Sequence, residues 1–276
     1  MTITARHALV TGSSRGIGRG IALKLADHGV HVAINYLTNE AAAKATLDQV
    51  RARGADGFIV QADVAKPVQV QRLLDRVKAE FGSLDIFVAN ARTDLGTFYQ
   101  SAMDIGLDQW DTAMDSQAKA FLVGVRKAVT MMPDGGRVIA ITYAPGGRYG
   151  GWQPWVGMGA AKSALESLCR YFAVALGPRG ITVNAISPGW VEDSVLNTLP
   201  DAAVQMIRDR QKDGWTPMRR LGTPADIGNA VALFCSKEAG WITGQVVMAD
   251  GGMGLMDPGI PIEIQLPDLQ AVSANR

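Results

Sequence analysis

Short apolar runs rich in β-branched residues alternate with longer amphipathic stretches along most of this chain. The runs lie at 7–11, 30–36, 57–61, 84–89, 136–142, 180–186 and 245–249. They are nearly continuous rather than alternating, the pattern of strands covered on both faces by helices in a parallel sheet. Between them, apolar positions recur at helical spacing over 18–26, 40–53, 67–81, 107–132, 155–176 and 224–236. Strand and helix repeated in this way predict an α/β fold built on a doubly wound parallel sheet. No internal repeat or linker divides the chain, so a single domain over residues 1–256 is expected. Within it, 191–217 interrupts the alternation and reads as a helix-bearing insertion, a substrate lid. Residues 257–276 form a proline-containing tail.

A length of 276 residues suits one such domain, and 47% hydrophobic against 19% charged residues provides a large core. The net charge of +1 creates no field that would draw in nucleic acid or an acidic membrane. The sequence shows neither a signal-peptide pattern nor an apolar run long enough to span a bilayer. A cytoplasmic protein with no nucleic-acid or membrane partner is therefore expected. Cys169 and Cys235 stand in apolar helical patterns and read as buried free thiols. No metal site is expected.

The first run leads into Thr11-Gly12-Ser13-Ser14-Arg15-Gly16-Ile17-Gly18 at the start of a helix. Glycines at this spacing allow a tight turn, and they bring backbone N–H groups of Gly12, Ser14, Gly16, Ile17 and Gly18 against a pyrophosphate. The end of the second run, Asn35-Tyr36-Leu37-Thr38-Asn39, carries no acid. A carboxylate there would accept the ribose 2′-hydroxyl of NAD and repel a 2′-phosphate. Arg15 can pair with that phosphate. NADP(H) is the expected cofactor, with Tyr36 beside its adenosine.

With these motifs the chain resembles the short-chain dehydrogenase/reductase family, a Rossmann-type fold, from His7 to about Leu255. The resemblance places Asp63 and Val64 at the adenine, and Asn90 and Ala91 beyond the fourth strand, where Arg92 replaces the usual glycine. It also sets Pro188, Gly189 and Val191 along the nicotinamide, and Ala249-Asp250-Gly251-Gly252 at the close of the last strand. A homotetramer is implied as well, with Phe121, Val125, Leu168 and Phe172 expected on helix faces that the sheet leaves uncovered.

Members of this family reduce carbonyls with a serine, a tyrosine and a lysine, supported by an asparagine. Lys162 matches the lysine, with the expected role of holding the nicotinamide ribose and supplying positive charge. The tyrosine position four residues earlier is Met158, which has no exchangeable proton. The chain is similar to the enoyl-thioester reductase branch around 156–162 and 170–173, where the tyrosine falls seven residues before the lysine; here that residue is Trp155. An indole N–H donates a hydrogen bond but is no acid near neutral pH. The asparagine position is read as Gln117, the serine position as Tyr143, and a usual threonine as Asp193. Tyr143 and Tyr149 are the candidate replacement donors, with Trp155 as a hydrogen-bond donor. Trp152, Trp155, Trp190 and Trp215 are candidate walls of an apolar pocket. The expectation is an NADP(H)-dependent reductase of an apolar small molecule, either a carbonyl compound or a carrier-bound enoyl thioester. A non-redox relative (a cofactor sensor, a scaffold, a cyclase or an isomerase) is the alternative.

Overall fold

Seven strands follow one another in parallel: β1 (His7–Val10), β2 (His31–Tyr36), β3 (Gly57–Gln61), β4 (Ile86–Ala89), β5 (Arg137–Ile141), β6 (Thr182–Pro188) and β7 (Val246–Ala249). They form one sheet in the order β3-β2-β1-β4-β5-β6-β7. This architecture comes from a computed structural model, which describes residues 1–93, 100–143, 155–192, 196, 199–257, 259–260 and 262–265. The strand order reverses direction between β1 and β4, so the connections leave these neighbouring strands toward opposite faces. That divergence opens a crevice at their C-terminal ends, the place where such sheets bind ligands.

Alternate residues of each strand serve two cores, as a pleated strand requires. Ala8 and Val10 of β1 and Ile139 and Ile141 of β5 pack under α1 (Gly16–Ala26), α2 (Glu40–Arg51) and the late helix Pro224–Cys235. Leu9, Val138 and Ala140 face the opposite layer, which contains α3 (Pro67–Phe81) and helical segments from 107–128 and 156–176. Local signals set the helix ends. Asn39 caps α2 by accepting from the Ala42 N–H at 2.9 Å. Pro67 opens α3, and Gly82, at φ 75°, ends it.

The predicted helix over 107–132 is divided into α4 (Leu107–Met114), a π-helical turn (Asp115–Lys119) and α5 (Ala120–Ala128). Next come α6 (Val156–Leu176), α7 (Asp201–Arg210) with a second π-helical turn (Gln211–Trp215), α8 (Pro224–Cys235) and the short α9 (Ile262–Gln265). The α7 region occupies the predicted insertion. Helices α1 and α8 cross at glycines: a Cβ on Gly20 would lie 2.3 Å from the Pro224 carbonyl oxygen, and one on Gly228 2.6 Å from that of Gly20.

Of four residues expected on uncovered helix faces, two belong to the core and two are half-buried against it. Phe121 and Val125 are buried, and Leu168 and Phe172 pack against the same cluster. The exposed apolar side chains of α6 are Tyr171 and Val174. Cys169 and Cys235 are buried free thiols, and burial pushes both up to about 12. Among the described residues, no helix is long and apolar enough to cross a membrane.

Candidate functional site

The site begins where β1 ends. Thr11 binds its backbone N–H to the Val88 carbonyl at 3.0 Å, extending the β1–β4 pairing by one residue. Its hydroxyl accepts from the N–H groups of Asn90 and Ala91 at 2.9 and 3.0 Å. The Asn90 amide returns the contact by donating to the carbonyls of Thr11 and Gly12 at 2.9 and 3.1 Å. The loops after β1 and β4 are thus tied to each other by side chains on both.

Gly12 (φ 63°) and Gly16 (φ 55°) adopt left-handed backbone. A Cβ on Gly18 would fall 2.3 Å from the Gly12 carbonyl oxygen and 2.6 Å from Asn90 Nδ2. A Cβ on Gly12 would meet Ala91 Cα at 2.8 Å. The first turn of α1 contains no acidic residue, and no side chain caps it. Its N–H groups and positive dipole end therefore favour an anion. Ser14 offers its carbonyl to the Thr46 hydroxyl at 3.0 Å, Ile17 packs on the core, and Arg15 is exposed at the rim.

Asn35, which the sequence pattern did not single out, supports this loop from below. Its Oδ1 accepts from the Gly12 N–H at 3.0 Å, and its Nδ2 donates to the Val60 and Ala62 carbonyls at 3.3 and 3.2 Å. Its one signal in the sequence is a polar residue inside an apolar strand. Tyr36, the next residue, is buried. No acid stands between 35 and 39, so the rim beside Arg15 carries no opposing carboxylate from this segment. Asp63 turns Oδ1 to the Ala65 N–H at 2.9 Å, and Val64 packs on the sheet.

Across the crevice, Lys162 of α6 is almost wholly enclosed, with Nζ donating to the Ile141 carbonyl at 2.6 Å. Burial first, and then the charge of Arg92, lower its pKa to about 7, while Glu166 and Cys169 pull it upward. Glu166 Oε1 accepts from the Thr142 hydroxyl at 2.7 Å. Met158, one turn before Lys162, is buried with Ala113, Trp155 and Ala161 in a small apolar cluster. The tyrosine position is therefore filled by packing.

Tyr143 lies stacked on Trp155, with ring centroids 5.8 Å apart and planes at 22°. Burial pushes its phenol up to about 12, and among the described residues no cation offsets that shift. Gln117 lies in the π-helical turn, where its amide donates to the Ala91 carbonyl at 3.3 Å and to the Ser116 hydroxyl at 3.2 Å. Beside it is a cavity of about 20 Å³, lined by Thr11, Ala91 and Ser116 as well as apolar groups, which is room for one water.

On the far wall, a Cβ on Gly189 would lie 2.9 Å from Asp250 Cα, so the chain after Pro188 runs hard against the loop after β7. Val191 is buried and bridges to Gly222. Trp215 lies under the Arg210 guanidinium, 4.7 Å from its ring centroid, so a cation covers one ring face instead of leaving it as a bare pocket wall. Tyr149, Trp152 and Asp193 lie outside the described residues.

The structure thus brings together the Gly12–Gly18 turn, Asn90, Ala91, Gln117, Tyr143, Trp155 and Lys162. The chain is similar in sequence and fold to known reductases. The family model described as enoyl-(acyl carrier protein) reductase matches residues 12–254. The chain is 35% identical to a 1-cyclohexenylcarbonyl-CoA reductase of Streptomyces collinus, over 91% of this chain and 88% of that one. It is 35% identical to a 3-oxoacyl-[acyl-carrier-protein] reductase of Staphylococcus epidermidis, over 90% and 98%. Among solved structures, an angucycline C-6 ketoreductase with bound NADP superposes with a TM-score of 0.81 at 33% identity, covering 91% of this chain and 96% of the other.

Proposed function

This chain belongs to the short-chain dehydrogenase/reductase family, and from that premise we propose that it is an NADP(H)-dependent reductase of an apolar carbonyl or enoyl thioester. It is an oxidoreductase that uses NADP(H). One observation carries the reading: the turn after β1, with no space for side chains at Gly12 and Gly18, and the enclosed Lys162, bonded to the carbonyl that ends β5, both lie at the C-terminal edge of the sheet. The residues present fit the dinucleotide, with the uncapped α1 N-terminus for the pyrophosphate and Arg15 at the rim for the 2′-phosphate.

When bound, the reduced nicotinamide supplies a hydride to the substrate carbon. Charge then grows on the substrate oxygen, and the chain must stabilise it. Among the described residues, the Tyr143 hydroxyl at the end of β5 and the Trp155 indole N–H at the start of α6 are hydrogen-bond donors for that role. Enoyl reduction suits this set, because its enolate needs an oxyanion partner more than an immediate acid. The relative acting on a cyclohexenylcarbonyl thioester supports that substrate class. The test is NADPH oxidation followed by absorbance with crotonyl-CoA, acetoacetyl-CoA, 2-cyclohexenone and menadione. Tight NADPH binding with no oxidation in any of them would favour the non-redox reading, which the apolar cluster around Met158 supports.

Cofactor choice is tested separately. Arg15→Ala should weaken NADPH by about tenfold to a hundredfold, the scale of one hydrogen bond to a charged group, and leave NADH nearly unchanged. Calorimetry showing equal loss for both cofactors would mean that Arg15 does not read the phosphate.

A further inference from the structure

Asn35 lies on β2, between β1 and β3 in the sheet, and is 1% exposed. Its side chain reaches the C-terminal ends of both neighbours. Oδ1 accepts from the Gly12 N–H at 3.0 Å, and Nδ2 donates to the Val60 and Ala62 carbonyls at 3.3 and 3.2 Å. The main chain repeats the pattern. The Ser13 N–H donates to the Asn35 carbonyl at 2.9 Å, and the Ala62 N–H to that of Tyr36 at 3.0 Å. The Gly12 N–H, expected against the pyrophosphate, is thus engaged by Asn35 instead, and the N–H groups of the first turn of α1 are left to meet the anion.

The two ends that Asn35 joins belong to different halves of the cofactor site. Gly12 and Ser13 open the turn at the uncapped N-terminus of α1, which suits the pyrophosphate. Ala62 precedes Asp63 and Val64, the residues expected at the adenine. Resting on the NADP(H) reading above, we propose that Asn35 is a positioning residue that couples these halves. Adenine seated beside Asp63 fixes the end of β3, and the Asn35 amide passes that order to Gly12, which aims the turn at the pyrophosphate.

The topology supports this. β3 is the edge strand and pairs only with β2, so within the sheet a constraint at Ala62 reaches the glycine turn through β2. At this point β2 has a primary amide, which accepts through oxygen on one side and donates through nitrogen on the other. The amide is buried, so losing either arm leaves a carbonyl or an N–H without its partner, and the backbone must move to find another. Coupling of this kind is a free energy shared by the two half-sites, and each can be probed separately.

The probes are 2′-AMP, which fills the adenine half alone, and NADPH, which fills both. In Asn35→Leu, close in volume but without polar atoms, 2′-AMP affinity should change by less than about threefold while NADPH weakens about tenfold to a hundredfold. In isotope-labelled wild type, 2′-AMP alone should shift the Gly12 amide resonance, and this measurement decides even where the variant fails to fold. Thr46→Val is the control. It removes the hydroxyl bonded to the Ser14 carbonyl at 3.0 Å but leaves Asn35 in place, and the Gly12 response should persist. Asn35→Asp adds a pH profile: as the buried acid ionises between about pH 5 and 8 it can no longer donate to β3, and NADP⁺ affinity relative to wild type should fall. Equal loss of both probes in Asn35→Leu would mean that the residue only braces the adenine side. NADPH affinity within about threefold of wild type would mean that the turn stands without it. Either result, or a wild-type Gly12 resonance that 2′-AMP leaves unmoved, overturns the proposal. Wild type that binds neither probe overturns the NADP(H) reading, and the coupling with it.

Discussion

Gly18→Ala should reduce NADPH affinity by about 100-fold or more, a loss of at least ~2.7 kcal/mol. The added methyl would sit 2.3 Å from the Gly12 carbonyl oxygen, 2.6 Å from Asn90 Nδ2 and 2.8 Å from Ser13 Cα. Two of these neighbours are backbone, and the third is an amide already bonded to the Thr11 and Gly12 carbonyls, so none can step aside alone. The turn must open, and the N–H groups of the first turn of α1 lose their common aim. Overpacking of this kind costs roughly 1–3 kcal/mol of stability, which leaves a protein folded enough for titration calorimetry. A thermal melt run in parallel separates the two effects. A dissociation constant within about threefold of wild type would show that the loop tolerates the methyl and that the turn is not the phosphate cradle.

The second large effect is on stability. Lys162 titrates at about 7 in the folded protein against 10.5 for a free lysine. The unfolded chain therefore binds more protons between those values, and stability rises with pH across that window. At 1.36 kcal/mol per pH unit, the cofactor-free protein should gain about 2 kcal/mol from this residue between about pH 7 and 9. Lys162→Met should lack that gain and be the more stable protein at about pH 6, where wild type must bury a charge. Denaturant unfolding of both proteins across this range checks it; parallel profiles would mean that the lysine reaches water.

Much of this architecture is legible in the sequence, because strands buried on both faces leave continuous apolar runs. The observed strand ends fall within two residues of the expected runs, from His7–Val10 to Val246–Ala249. The glycine spacing at 12, 16 and 18 is readable for a similar reason: it is local, and the turn admits nothing larger. Three features were not readable. The support that Asn35 gives Gly12 spans 23 positions and depends on the register of β2 against β3. The π-helical turn at Asp115–Lys119 hides within a helical pattern, since five residues are too few for the apolar period to reveal it. Phe121, Val125, Leu168 and Phe172 looked surplus to the sheet because helices packing side by side bury a second face that one helix alone does not predict.

That π-helical turn makes chain length a determinant of the cleft. A π turn is an α-helix with one residue too many. Deleting a single residue between Asp115 and Lys119 would let the backbone run on as continuous α-helix with the helix beyond facing nearly as before, because the π turn absorbs one extra residue in about the same rotation and rise. Phe121 and Val125 would stay in the core, while Gln117, inside the turn, would lose the position from which its amide reaches the Ala91 carbonyl. A chain of nearly the same composition but one residue shorter here would keep the sheet, the glycine turn and Lys162, and would close a different cavity around its substrate.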